Sequence, residues 1–274
     1  MRVESYVFKN CASLRSIVVE EENPKYDSRN NCNAIIDTEA NELIVGCSAT
    51  IIPDSVRTIG RGAFSGCALL TSIIIPDSVE AFGIGAFEDC SMLTNIQISD
   101  GVTGFNYGAF SGCTSLESIT IPKSVTWILG NIFEGCHALK CIAIEEGNLK
   151  YDSRNNCNAI IETENNELII GCSATSIPES VTKIGEKAFL NCASLTSIVI
   201  PKGVKKIESF AFEKCHNLES VALPVGVNKI GEHAFRDCSA LQTIYVPAKK
   251  TDYYKKRLCS KFRDKIVELE PVKK

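Results

Sequence analysis

Three histidines and fourteen cysteines are the residues of this 274-residue chain best suited to nucleophilic, acid–base or metal chemistry. Cys136 and His137 could on paper form a thiolate–imidazole couple, but sequence neighbours on a strand or turn point apart, and such a couple needs hydrogen-bond reach. His137 and His216 each follow a cysteine at one fixed point of a recurring pattern, and His233 precedes an Ala-Phe pair at another, so all three read as surface variation. No Cys-x-x-Cys, His-Glu-x-x-His, phosphate-binding loop, dinucleotide fingerprint or Gly-x-Ser-x-Gly occurs, so no catalytic residue, cofactor or metal is assigned. The stretch Asp27-Ser28-Arg29-Asn30-Asn31-Cys32-Asn33 and its copy from Asp152 offer oxygen ligands of the kind Ca²⁺ takes, but they lack the glycine and terminal glutamate of a calcium loop. Short polar side chains satisfying the backbone of a tight turn explain them more simply.

The elements that carry these residues recur. Phe64, Cys67, Leu70 and Ile73 repeat as Phe87, Cys90, Leu93 and Ile96, again as Phe110, Cys113, Leu116 and Ile119, and so on at a period of 23. Further copies are anchored at Phe8, Phe133, Phe189, Phe212 and Phe235. A full unit reads Ile-x-Ile-Pro-x-Ser/Gly-Val-x-x-Ile-Gly-x-x-Ala-Phe-x-x-Cys-x-x-Leu, and a period of about 20 to 29 residues rich in Leu and Ile is the mark of a leucine-rich-repeat solenoid. Seven of the nine prolines follow the second aliphatic residue and end a short strand, since proline cannot donate to a ladder. One such unit buries too little apolar surface to fold alone; stacking puts equivalent strands about 4.8 Å apart and closes a continuous core.

Strand ends fall at Val19, Ile52, Ile75, Ile98, Ile121, Ile144, Ile177, Ile200, Leu223 and Val246, which gives about ten coils. Two intervals are 33 residues, Val19 to Ile52 and Ile144 to Ile177, and these long coils are near copies. In the first, Ala34-Ile35-Ile36 and Leu43-Ile44-Val45 flank a polar hexapeptide and read as a β-hairpin. A symmetric turn there sets Cys32 opposite Cys47, and Cys157 opposite Cys172 in the copy, either as disulfides or as buried thiols. The eight cysteines on the shared rung read as small free hydrophobes. The expected architecture is a right-handed, β-rich α/β coil over residues 1–247 with a helical cap over 248–274. In the cap, Tyr254, Leu258 and Phe262 are spaced as one helical stripe. At the other end, Val3 to Phe8 align with Ile207 to Phe212, so the chain opens in mid-coil and is expected to expose its core edge, as a piece of a longer protein or under a partner.

Composition sets the outer limits. The net charge of −4 and pI of about 5.6 provide no general attraction to nucleic acid or to an anionic membrane. Residues 249 to 274 nevertheless hold ten Lys or Arg against four Asp or Glu, a local basic patch that reads as a solvated terminal face. The longest uncharged stretch near the middle, Phe64 to Pro76, is too short to span a bilayer, and no signal peptide is visible.

The units, Ile177 to Leu195 above all, resemble the BspA-like class of leucine-rich repeats, and the resemblance covers roughly residues 3 to 247. It implies a secreted or cell-surface protein of a host-associated bacterium that adheres through contacts with a host or neighbouring-cell protein. In the strands, residues between the core aliphatics face outward on the expected concave sheet, forming a small, weakly polar, almost uncharged stripe. Its distinctive groups are Gln97, Glu117, Thr120, Lys140, Glu219, Gln242 and Tyr245, the candidate partner-binding residues. A passive spacer and a glycan-binding module are the alternatives, the latter disfavoured by a single tryptophan, Trp127.

Overall fold

A computed structural model of the chain describes residues 3–11 and 13–269, and the repeats form β-solenoid coils in two compact units. One unit holds residues up to Leu139 with Ala143–Lys150, the other Lys140–Ile142 with Tyr151 onward. In the first, Ser72–Ile75 pairs in parallel with Asn95–Ile98, Ser72 beside Asn95 and Ile75 beside Ile98. Ile73, Ile75, Ile96, Ile119 and Ile121 point into the core, while Ser72, Asn95, Gln97, Ser118 and Thr120 are exposed, as the two-residue strand period requires.

Each coil also carries a second strand, at the Val-x-x-Ile step, which the sequence pattern did not reveal. Thr58–Ile59, Ala81–Phe82, Gly104–Phe105 and Trp127–Ile128 form one parallel ladder. Glu42–Gly46, the return strand of the long-coil hairpin, pairs in parallel with Thr58–Ile59, so the ten extra residues of that coil begin this second sheet. Gly104 is required there: a Cβ on it would meet the Trp127 ring at 2.1 Å.

The core is a stack of identical rungs. The Phe64, Phe87, Phe110 and Phe133 rings succeed one another at 4.8, 5.8 and 5.7 Å, near-parallel throughout, the first at the strand spacing and the others about 1 Å wider. The cysteine rung does more than fill space. Cys90 donates its thiol proton to the Phe64 carbonyl at 3.1 Å, Cys113 to Phe87 at 3.2 Å, and Cys136 to Phe110 at 3.1 Å. Each bond ties one coil to the one before it.

The second unit repeats this arrangement. Phe189, Phe212 and Phe235 stack at 4.9 and 5.3 Å, and Cys215 and Cys238 donate to the Phe189 and Phe212 carbonyls at 3.1 and 3.0 Å. Lys183–Ile184, Lys206–Ile207 and Lys229–Ile230 make its second ladder, and Ser197–Val199, Ser220–Ala222 and Thr243–Pro247 its first.

Both long coils contain the expected hairpin, Ala34–Asp37 with Glu42–Gly46 and Ala159–Glu162 with Glu167–Gly171. The cysteine pairing inferred from a symmetric turn is wrong. Ile36 does face Leu43, but the register slips by one residue beyond it, so that Ile35 faces Val45 and Ala34 faces Gly46. This bulge brings Cys47 to Asn33, whose carbonyl accepts the thiol at 3.5 Å, while Cys32 points at the Ala34 carbonyl; the copy repeats the shift, and all fourteen cysteines are free. The Asp-Ser-Arg-Asn-Asn stretch is a clamp. Arg29 grips both Asp27 carboxylate oxygens, Asn41 on the hairpin tip and Ser55 in the next coil, and Arg154 does the same with Asp152, Asn166 and Ser180. Asn30, Asn31 and Asn33 adopt positive φ, which asparagine tolerates better than most residues.

At the C-terminal side, Tyr254, Leu258 and Phe262 are all buried against the last coil. The helix that the spacing suggested is shorter than the stripe: α-helix covers only Thr251–Lys255, Phe262 sits in the 3-10 turn Ser260–Lys265, and Ile266–Leu269 then adds a parallel strand to Thr243–Pro247. The Tyr254 hydroxyl reaches the Pro224 carbonyl, and Lys265 the Leu241 carbonyl. Residues 270–274 of the expected cap lie outside the described residues. At the opposite end, Phe8 is 39% exposed where its equivalents Phe64 and Phe87 are buried.

Candidate functional site

The residues available to a partner are those the strand alternation turns outward. In the first unit the position one before each strand end is held by Val18, Ile51, Ile74, Gln97 and Thr120 in successive coils. Val18, Ile51 and Ile74 are 81%, 75% and 65% exposed, so three large aliphatic side chains stand in water at equivalent positions. Scattered exposed aliphatics are ordinary on a protein surface, but their recurrence at the same position of successive coils singles these three out. Ile74 lies directly beside Gln97 in the ladder, so the apolar row runs into the polar one.

Of the candidate partner-binding residues, Gln97, Glu117 and Thr120 are exposed in this unit, Glu117 immediately preceding the strand Ser118–Ile121. The others belong to the second unit. Lys140, Glu219 and Gln242 are exposed and Tyr245 is half-buried; Gln242 donates its backbone N–H to the Glu219 carbonyl at 3.0 Å, and Tyr245 lies beside Ala222 in the ladder. Val199, one position before Ile200, is 72% exposed. The sequence hides this row because Ile51 ends a long coil outside the regular 23-residue run and because the outward stripe that holds Ile74 is on average weakly polar. Its signal was present: Ile51 precedes Ile52 as Ile74 precedes Ile75.

The groups with intrinsic reactivity are placed otherwise. His137, His216 and His233 are all exposed, and Cys136 is turned away from His137 toward the Phe110 carbonyl. Burial pushes the Cys67, Cys113 and Cys192 thiols up to about 12, so at pH 8 only about one in 10⁴ is thiolate, the form a nucleophile needs. Among the described residues no group of three or more His, Cys, Asp or Glu is placed to hold a metal ion, and no helix is long and apolar enough to cross a membrane. The Asp27 carboxylate, an oxygen ligand on paper, is occupied by Arg29.

Six copies of a family model described as BspA type leucine rich repeat region match residues 34–161 and 169–268. Among solved structures, the pneumococcal vaccine antigen PcpA aligns at 21% identity with a TM-score of 0.56, covering 77% of this chain and 64% of that one. This chain thus spans less than two thirds of PcpA's crystallised length, and at that identity the likeness concerns the fold. A leucine rich cell surface protein from Faecalibacterium prausnitzii aligns at 25% identity and a TM-score of 0.48, covering 91% of this chain and 77% of that one. A leucine rich repeat protein of T. pallidum aligns at 26% and 0.44, covering 82% and 91%. No curated protein sequence matches.

Proposed function

Because the chain belongs to the BspA-type leucine-rich repeat family, we propose that it is a non-enzymatic protein-binding and adhesion module of a bacterial surface or secreted protein. The observation that carries this reading is the exposed row Val18, Ile51 and Ile74, continued by Gln97 and Thr120. Aliphatic side chains left in water give up their apolar hydration when a partner covers them, and that gain exceeds the rotamer entropy lost, so their burial contributes to affinity. In the same unit Glu117 adds a charge beside the row; in the other, Lys140, Glu219, Gln242 and Tyr245 are the distinguishing groups of the equivalent face. The partner is a protein of the host or of a neighbouring cell.

The test is adhesion of chain-coated beads to host epithelial cells that are untreated, stripped with protease, or treated with glycosidases. Adhesion lost with protease and kept after glycosidases supports the reading. Adhesion lost with glycosidases alone would make this a glycan-binding module, and beads that never adhere above an albumin control would make it a spacer.

A further inference from the structure

In the second unit, the residue two before each stacked phenylalanine has left-handed backbone: Lys187, Phe210 and His233, at φ 59°, 60° and 57°. The other unit fills this position with Gly62, Gly85 and Gly108, the residue type that adopts it without strain, and with Tyr6 at φ 64° in its first coil. A phenylalanine held there is a conformational outlier of the kind that clusters at ligand sites. The three side chains stack outside the core. Lys187 Nζ lies 6.0 Å from the Phe210 ring centroid, and the Phe210 and His233 rings are 5.4 Å apart and 30° from parallel.

This strip leads into a cleft of about 140 Å³ between the last coil and the C-terminal segment, lined on one side by His233 and Arg236. Its floor is apolar, from Ile230, Phe235, Leu258 and Phe262. Arg236, Arg257 and Lys261 give its rim positive charge, His233 adds a polar ring, and no carboxylate lines it. Arg257 is locked flat on Tyr253, 3.6 Å from the ring centroid, and donates to the Asn228 carbonyl, which fixes that wall. Arg236 lies 3.6 Å from both Glu213 and Asp237, and Lys261 lies over the Phe262 ring at 5.0 Å. The volume falls well under the roughly 300–1,000 Å³ of drug-sized ligand pockets, so the slot takes one large side chain and no whole cofactor.

We propose that this cleft docks an acidic segment of a protein partner, one large apolar side chain entering the slot while flanking carboxylates meet His233, Arg236 and Lys261 and the segment lies along Phe210. The proposal rests on the reading of the chain as a protein-binding module and adds a second, electrostatically selective contact to it.

The experiment titrates the full chain with three acetylated, amidated pentapeptides, Glu-Glu-Phe-Glu-Glu, Gln-Gln-Phe-Gln-Gln and Glu-Glu-Ala-Glu-Glu, following backbone amide NMR shifts. The first should move the amides of residues 233–236 and 257–262 and bind at least tenfold tighter than either control, with the advantage over the glutamine peptide shrinking as salt is raised. Phe210→Gly should weaken that binding at least fivefold without lowering the melting temperature, since glycine relieves the left-handed backbone; Lys261→Glu should weaken it as well. Equal shifts from all three peptides, shifts mapping elsewhere, or a Phe210→Gly variant that melts earlier yet binds unchanged overturns the proposal. Adhesion to protease-sensitive cells with no response to the acidic peptide would sink this cleft and leave the proposed function standing; the converse result would sink the adhesion reading and leave the cleft.

Discussion

The Cys113 thiol donates a hydrogen bond to the Phe87 carbonyl of the preceding coil at 3.2 Å, and the same carbonyl accepts the backbone N–H of Cys90 at 3.3 Å. The cysteine rung is therefore a column of inter-coil hydrogen bonds as well as a column of small hydrophobes. A test separates the two roles. Serine keeps a donor and alanine does not, so Cys113→Ser should be more stable than Cys113→Ala by about 0.5–1.5 kcal/mol in urea unfolding. A rung that served only as apolar filler would rank them the other way.

Alkaline pH should unfold the chain steeply. Burial holds Cys67, Cys113 and Cys192 at about 12, whereas an unfolded thiol titrates near 8.5–9. Their protonated state is common to both forms below pH 8.5, so the stability it supports is intact there. Above that the unfolded chain gives up protons the folded one retains, and stability falls by up to about 1.4 kcal/mol per pH unit for each such thiol until the folded thiols titrate. Equilibrium unfolding between pH 8 and 11 should show this slope, and it should shallow in Cys113→Ser. A flat profile would contradict the burial assigned to these groups.

Arg29 and Arg154 should resist replacement by lysine. Each spans an aspartate, a hairpin asparagine and a serine of the next coil through the fork of its guanidinium, a geometry that an ammonium cannot reproduce. Both Arg29→Lys and Arg154→Lys should cost about 1–2 kcal/mol, discounted for partial exposure. Denaturant midpoints of the two variants check this, and an unchanged midpoint would mean that the clamp is ornamental.

Fourteen free thiols should react with a thiol reagent in denatured, air-oxidised protein, because the bulge in each hairpin moves Cys47 opposite Asn33 and leaves Cys32 facing a backbone carbonyl. A count of ten would require the bridges that the register shift removes.

What the sequence made legible follows from periodicity. The rungs Phe87, Cys90, Leu93 and Ile96 announce burial at a fixed interval, and Tyr254, Leu258 and Phe262 announce a buried stripe, because apolar spacing reports which face is inside. It cannot report features that leave no spacing. Ala81–Phe82 and Gly104–Phe105 are strands of two residues, too short to alternate. The bulge after Ile35 depends on a one-residue slip that hydrophobic pattern alone does not fix. Phe210 and His233 replace glycines at left-handed positions, a substitution that reads as surface variation until the backbone angle is known. The outward position of Ile74 follows from the strand period, and Ile51 takes the equivalent place before Ile52; what the letters do not give is how exposed these aliphatics are, 75% and 65% for Ile51 and Ile74.

The most direct test of the proposed function is the double substitution Ile51→Asp with Ile74→Asp in the bead-adhesion assay on untreated host cells. Both side chains are exposed, so unfolding midpoints should stay within about 0.5 kcal/mol of the parent chain. Adhesion that is protease-sensitive in the parent should fall at least tenfold in the variant, since it loses two apolar contacts and places two charges in the interface. Adhesion undiminished in a folded double variant would show that this face is not where the partner sits.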